Sequence, residues 1–286
     1  LLAKTTTNES YLPGQLRFVA WCQHHVINPN HFVVEELINF LTTLHEEGFQ
    51  LSTIKLSRSA VLVFHVTAIQ FRGHPGICKL FRHWAGQAPP RPLELPVFDI
   101  TPTLRYLATI DSSQVTKLSV LNSKTAFLLV MAAFLRLSDL HRIQLSQSRM
   151  LSDSLLSLTI VSPKERRGGR RIIKTLLIHP LVDNRSLCAV LAFKVLRDHP
   201  GASARPPEVL FVNSVKVESP LSCATIGAWL HRLLGRSAPV ASSSGVPSVR
   251  SIASDLALKR GASLDDIITI GNWSSSTVFD QYYRRS

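Results

Sequence analysis

A mainly helical fold, with one small antiparallel β-hairpin sheet and a division into two domains, is what this sequence predicts. Apolar residues recur at helical spacing through most of the 286 residues. That spacing gives way to β-rich runs at one place, on either side of a turn rich in arginine and glycine. A proline-rich stretch between Gly86 and Pro96 interrupts the chain, where neither helix nor strand can continue.

Leu16 to His25, Phe32 to Glu47 and Ser52 to Ile69 carry the helical pattern in the first part, with Asn30 and Ser52 as expected N-caps and Gly48 as an expected stop. A short fourth helix around Pro75 to Trp84 closes a small bundle, so residues 1–88 form the first domain. The segment 86–96 holds four prolines in eleven residues and reads as a stiff linker, assigned to 89–99. Residues 100–286 form the second domain. There Asp111 to Leu137 is expected to be helical, with an apolar face through Leu118, Leu121, Ala126, Leu129 and Ala133. A short helix from Ser138 to Ile143 follows. Leu155 to Val161 and Arg171 to Ile178 are the strands of the hairpin, joined by Ser162-Pro-Lys-Glu-Arg-Arg-Gly-Gly169. Helices resume at Ser186 to Arg197, Cys223 to Leu234, Val249 to Lys259, Leu264 to Ile270 and Ser276 to Tyr283, with a Ser/Ala/Pro-rich loop from Ser237 to Pro247.

Composition excludes several classes. Hydrophobic residues make up 45% and charged residues 18%, which describes a core-forming chain and not a disordered one. The longest uncharged apolar stretch near the middle, Thr125 to Leu135, has 11 residues, against roughly 20 for a membrane-spanning helix. Cys22, Cys78, Cys188 and Cys223 have neither zinc spacing nor a disulfide framework, which suits a reducing compartment and buried small apolar roles. The chain starts at Leu1, so a processed or trimmed fragment is expected. Lysine and arginine number 32 against 19 acidic residues. The excess is uneven: residues 1–99 hold 8 basic and 7 acidic side chains, residues 100–286 hold 24 and 12. Clustered cations release counterions from nucleic acid, so the second domain is expected to meet a polyanion.

Four features of the second domain carry chemistry together. Phe134-Leu-Arg-Leu-Ser-Asp-Leu140 places Arg136 at a helix–helix corner, where its planar fork can meet a phosphate; alone it is also an ordinary helix-end arginine. The hairpin tip carries Lys164, Arg166, Arg167, Arg170 and Arg171, either a basic hairpin for a DNA groove or a solvated charge run. Pro247-Ser-Val-Arg250 puts an arginine early in a helix after a loop. Gly271-Asn-Trp273 through Phe279-Asp-Gln-Tyr-Tyr283 holds two of the four tyrosines, which otherwise read as an aromatic clasp.

In this order the features resemble the tyrosine recombinase (phage integrase) family, closest to the recombinases of DIRS-like retrotransposons. Arg250-Ser-Ile-Ala-Ser254, Gly261-Ala-Ser-Leu-Asp-Asp-Ile267, Trp273-Ser-Ser275 and Phe279-Asp-Gln-Tyr-Tyr283 carry that resemblance. It implies a helical core-binding domain followed by a tyrosine-recombinase catalytic domain, forming a clamp on duplex DNA. It also implies self-association as a synaptic tetramer. Arg136 and Arg250 would grip the scissile phosphate, with Asp139 buttressing Arg136. Lys164 would protonate the leaving 5′-hydroxyl, and Trp273 would donate its indole N–H to the phosphate. The basic residues of the hairpin would bind DNA. A tyrosine would attack phosphorus, without ATP, a cofactor or an obligatory metal. Spacing from Trp273 points to Tyr282; the pattern after Phe279 points to Tyr283, which is preferred.

One departure stands out. Three residues before its second arginine the family commonly has histidine, and this chain has Pro247. A general acid/base contributor is typically worth ~10²–10⁴ in rate. A catalytically decayed, DNA-binding remnant is therefore the alternative function. A helical scaffold for acidic protein partners is a third. A DNA substrate implies a nuclear location, or an intracellular one in a source without a nucleus.

Overall fold

The computed structural model describes residues 6–71, 73–88, 97–151, 155–167, 170–237 and 246–285; the side chains of residues 6, 164–167, 171, 281 and 282 lie outside that description. The chain divides into two compact units, Leu1–Arg91 and Pro92–Ser286. Of the expected linker, residues 89–96 lie outside the described residues. No helix among the described residues is long and apolar enough to cross a membrane.

The first unit is a bundle of α1 (Thr6–His25), α2 (Val34–Glu46), α3 (Leu51–Val61) and α4 (Pro75–Gln87). Its core is aromatic: the Phe18 ring meets Phe32 and Phe40 edge-on, each with centroids 5.0 Å away, a preferred arrangement for ring quadrupoles. Cys22 is buried there, which pushes its thiol up to about 11, so it serves as a small apolar residue. α1 begins ten residues before the expected Leu16 and carries Pro13 inside it. Pro13 and Glu9 are both exposed, so water can take the carbonyl that lacks its helical partner. The expected caps are displaced as well. α2 starts after Val33, whose N–H is accepted by the Glu36 carboxylate at 2.7 Å, and α3 starts after Gln50. Gly48 does stop α2, at φ +82°.

In the second unit, α5 (Thr101–Ala108) was not anticipated; Asp99 caps it by accepting the Thr101 N–H at 2.9 Å. α6 (Leu118–Ala133) is shorter than the expected Asp111 to Leu137. At its start, the Thr116 hydroxyl donates to the Asp111 carbonyl at 2.8 Å and meets the Ser113 hydroxyl at 3.1 Å. Such local bonds compete with helix formation. At its end, Phe134 turns left-handed at φ 50°. α6 is buried over most of its surface, not on one face, because α8 (Ala189–Arg197), α9 (Cys223–Leu234), α10 (Val249–Lys259) and the sheet pack against it. α7 (Leu137–His141) follows the Arg136 corner.

The sheet has three antiparallel strands in the order β1 (Arg149–Met150), β2 (Leu156–Arg167) and β3 (Arg170–Ile178). Leu156 pairs with Ile178 and Ile160 with Lys174; the register then slips between Val161 and Arg166. The two-residue β1 escaped the sequence pattern, and the hairpin strands run further towards the tip than expected. α11 (Leu264–Gly271) and α12 (Ser276–Tyr282) complete the unit. They pack with α10 around a small separate cluster of Phe134, Ala253, Ile267, Trp273 and Phe279, which positions the candidate site.

Candidate active site

Local chain geometry sets each side chain. Arg136 is the extended N-cap of α7 and leaves the left-handed end of α6. Its backbone N–H donates to Asp139 Oδ2 at 3.0 Å, and its guanidinium lies 4.0 Å from the same oxygen. Asp139 is buried, and its Oδ1 has no hydrogen-bond partner among the described residues. Arg250 is the second residue of α10, a helix capped by the Ser248 hydroxyl, which accepts the Ser251 N–H at 3.1 Å. Only 6% exposed, Arg250 stacks its guanidinium 4.3 Å from the Trp273 ring and 5.7 Å from the Tyr283 ring.

Three cations meet the chain at the end of α11. Lys174 Nζ donates to the Ile270 carbonyl at 2.9 Å, Arg250 Nη2 to the Gly271 carbonyl, and Arg136 Nη2 to the Asn272 carbonyl at 2.9 Å. The last carbonyls of a helix lack intrahelical donors and sit at its negative end, so cations are natural partners. Asn272 turns left-handed there, at φ 54°.

Trp273 is 7% exposed, packed against Phe134, Phe279 and Tyr283, and its indole N–H has no hydrogen-bond partner among the described residues. A buried, unpaired donor beside two arginines suits an anion. Tyr283, at the end of α12, is half-buried with its ring 4.8 Å from Trp273. The segment after it is tied down: the Arg285 N–H donates to buried Asp255 at 2.8 Å, and its guanidinium donates to the Ser251 hydroxyl at 3.3 Å. Burial pulls the Arg285 guanidinium below its usual range, and the Asp255 charge partly offsets this.

Thus Arg136, Asp139, Arg250, Trp273 and Tyr283 come together. Lys164, Arg166, Arg167, Arg171 and Tyr282 have side chains outside the described residues. Along the backbone, Arg166 pairs with Arg171 and Arg167 with Arg170, and the Arg170 side chain is exposed. The sequence reading missed Lys174 and the Asp255–Arg285 tie. Inward alternation along β3 was the only signal for Lys174. No group of His, Cys, Asp and Glu suited to a metal occurs among the described residues.

Beside the arginines lies a cavity of about 310 Å³. Arg136, Arg250, Pro247, Ser248 and His231 line it, with apolar residues of α6 and α9.

No protein-family model matches the chain, and no curated protein matches its sequence. Solved structures do. The Tn1549 transposon integrase in complex with transposon right-end DNA aligns with a TM-score of 0.59 at 14% identity, over 99% of this chain and 96% of that one. The XerH site-specific recombinase bound to palindromic difH substrate, a post-cleavage complex, gives 0.61 at 13% identity, over 96% and 75%. The fold is that of the tyrosine recombinases. A lambda integrase dimer bound to a COC′ core site aligns at 0.54 and 17% identity, over 95% and 87%. On this fold Arg136 sits at a helix corner, Arg250 at a helix start, Trp273 between α11 and α12, and Tyr283 just after α12.

Proposed function

We propose that the chain cleaves and rejoins DNA strands at specific sites through a 3′-phosphotyrosyl intermediate, in the integration of a mobile element of the DIRS-like retrotransposon kind. The grouping of Arg136, Arg250, Trp273 and Tyr283 around one turn of chain, on a fold shared with DNA-bound integrases, carries this proposal. Double-stranded DNA is the substrate, and the working form is a homo-oligomer, a synaptic tetramer on paired sites. The DNA substrate places the protein in the nucleus, or inside a cell that lacks one.

In this mechanism the two guanidiniums bind the non-bridging oxygens of the scissile phosphate and offset the charge that grows there in the transition state. Trp273 adds its indole N–H. The phenolic oxygen of Tyr283 forms a bond to phosphorus as the bond to the 5′-oxygen breaks, and Lys164 supplies the proton to that leaving oxygen. The phosphodiester is conserved as the tyrosyl ester. Attack by a free 5′-hydroxyl reverses the step and joins strands without an external energy source. Tyr283 is preferred to Tyr282 as nucleophile because its ring lies beside Arg250 and Trp273. Arg166, Arg167, Arg170 and Arg171 bind the DNA backbone from the hairpin.

Pro247 favours a second reading, a DNA-binding remnant without turnover. Covalent trapping on a nicked duplex carrying the element's terminal repeats separates the two. The expected result is a protein–DNA adduct on a denaturing gel that Tyr283→Phe abolishes and Tyr282→Phe retains. Salt-sensitive DNA binding with no adduct would establish the remnant.

A further inference from the structure

Pro247 removes a histidine from the position where the resemblance expects one, and no histidine follows it in the sequence; the last is His231. The fold brings that residue back. Gly227, Leu230, His231 and Leu234 are spaced along one face of α9, and all four line the cavity that Arg136, Arg250 and Pro247 also line. His231 is an exposed residue as well as a lining one. Gly227 keeps the α9 wall close to the Arg136 corner: a Cβ there would lie 3.1 Å from Leu137 Cδ1.

We infer that His231 is a catalytic residue of this chain, supplying from α9 the imidazole that Pro247 cannot; the inference rests on the strand-transfer function proposed above. The cavity holds two arginines and one histidine among mostly apolar walls, a donor set for a single phosphodiester group. Arg250 links the two sides of the chemistry, since it lines the cavity and lies 5.7 Å from the Tyr283 ring. Arg250 thus borders both the cavity that His231 lines and the ring of Tyr283, which lies outside that cavity's lining. A phenol must give up its proton to become a nucleophile, and an imidazole is a side chain suited to take it as a general base. In the cleavage step the phenol proton passes to the His231 imidazole, across a non-bridging phosphate oxygen. The Tyr283 oxygen bonds to phosphorus, the bond to the 5′-oxygen breaks, and Lys164 protonates that oxygen. In rejoining, His231 returns its proton to the tyrosine.

The test compares wild type, His231→Gln, Pro247→His and the double variant His231→Gln/Pro247→His. Each is assayed for adduct formation rate on the nicked terminal-repeat duplex, with duplex binding measured in parallel to verify folding. The expected result is an adduct from wild type, a fall of ~10²–10⁴-fold in His231→Gln with binding retained, and recovery of most of that rate in the double variant. Rescue from the segment before α10 instead of from α9 separates a proton-transfer role from a structural one. Equal rates for wild type and His231→Gln would overturn the role of His231 and leave the proposed function standing. An adduct from Pro247→His but none from wild type would also overturn it, because His231 then fails to stand in. No adduct from either would overturn the proposed function together with the inference.

Discussion

At the scale of single residues, the site is built on the close approach of Gly271 and Trp273. A Cβ on Gly271 would fall 1.6 Å from an indole ring carbon, inside any permitted contact. Gly271 has no left-handed φ that would call for glycine, so the steric conflict alone decides the outcome. The Gly271→Ala variant must push the indole out of its packing with Phe134 and Phe279, and the Arg250 guanidinium rests on that ring. A displacement near 1 Å in a positioned catalytic group costs on the order of 10²-fold in rate. We expect Gly271→Ala to lose about that much adduct formation while duplex binding stays close to wild type. The difference in Trp fluorescence between wild type and Gly271→Ala, over a background of three other tryptophans, reports the indole shift.

Helices and strands pose a different question, and α6 is the clearest case. Lys124 is fully buried within it, donates Nζ to the Ile110 carbonyl and lies near Asp111. Desolvation pulls its pKa below the usual 10.5, with Asp111 offsetting part of the effect. Between the lowered value and 10.5 the unfolded chain holds a proton that the folded chain lacks. Stability therefore rises with pH across that window, by at most about 1.4 kcal/mol per pH unit, and levels off above it. The Lys124→Met variant should lack this rise; urea midpoints of both proteins between neutral pH and that upper limit check it. Element boundaries were legible in proportion to their caps. α9, α10, α11 and α12 each begin after a serine whose hydroxyl accepts a backbone N–H of the first turn. Their starts agree with the sequence reading. α6 begins after Lys117 without a side-chain cap, and there the sequence pattern overran by seven residues.

For the whole molecule, charge asymmetry is the governing property. The net charge of +13 comes almost entirely from residues 100–286. Counterion release makes binding that neutralises six to ten phosphates fall about 10³–10⁵-fold between roughly 50 and 200 mM salt. We expect the full chain to show such a slope on duplex DNA. Replacing Arg166, Arg167, Arg170 and Arg171 by glutamine should flatten the log–log slope by about 0.9 for each phosphate that is no longer neutralised. An unchanged slope would remove the hairpin from the DNA interface.

Local information determined the helical class, the single hairpin, the basic second half, and the arginines, tryptophan and tyrosines worth testing. Periodicity, capping serines, glycine turns and charge are properties of neighbouring residues, so one chain displays them. Tertiary structure alone decided how the site is held. Arg136 reaches Asn272 across 136 positions and Lys174 reaches Ile270 across 96. Their acceptors are main-chain carbonyls, which every residue carries and no sequence pattern marks. Tertiary structure likewise brought His231 on α9 to the cavity beside Pro247. A helix packed against the core can return a residue to a site that its place in the sequence excludes, because proximity across a fold depends on the path of the chain through a shared core.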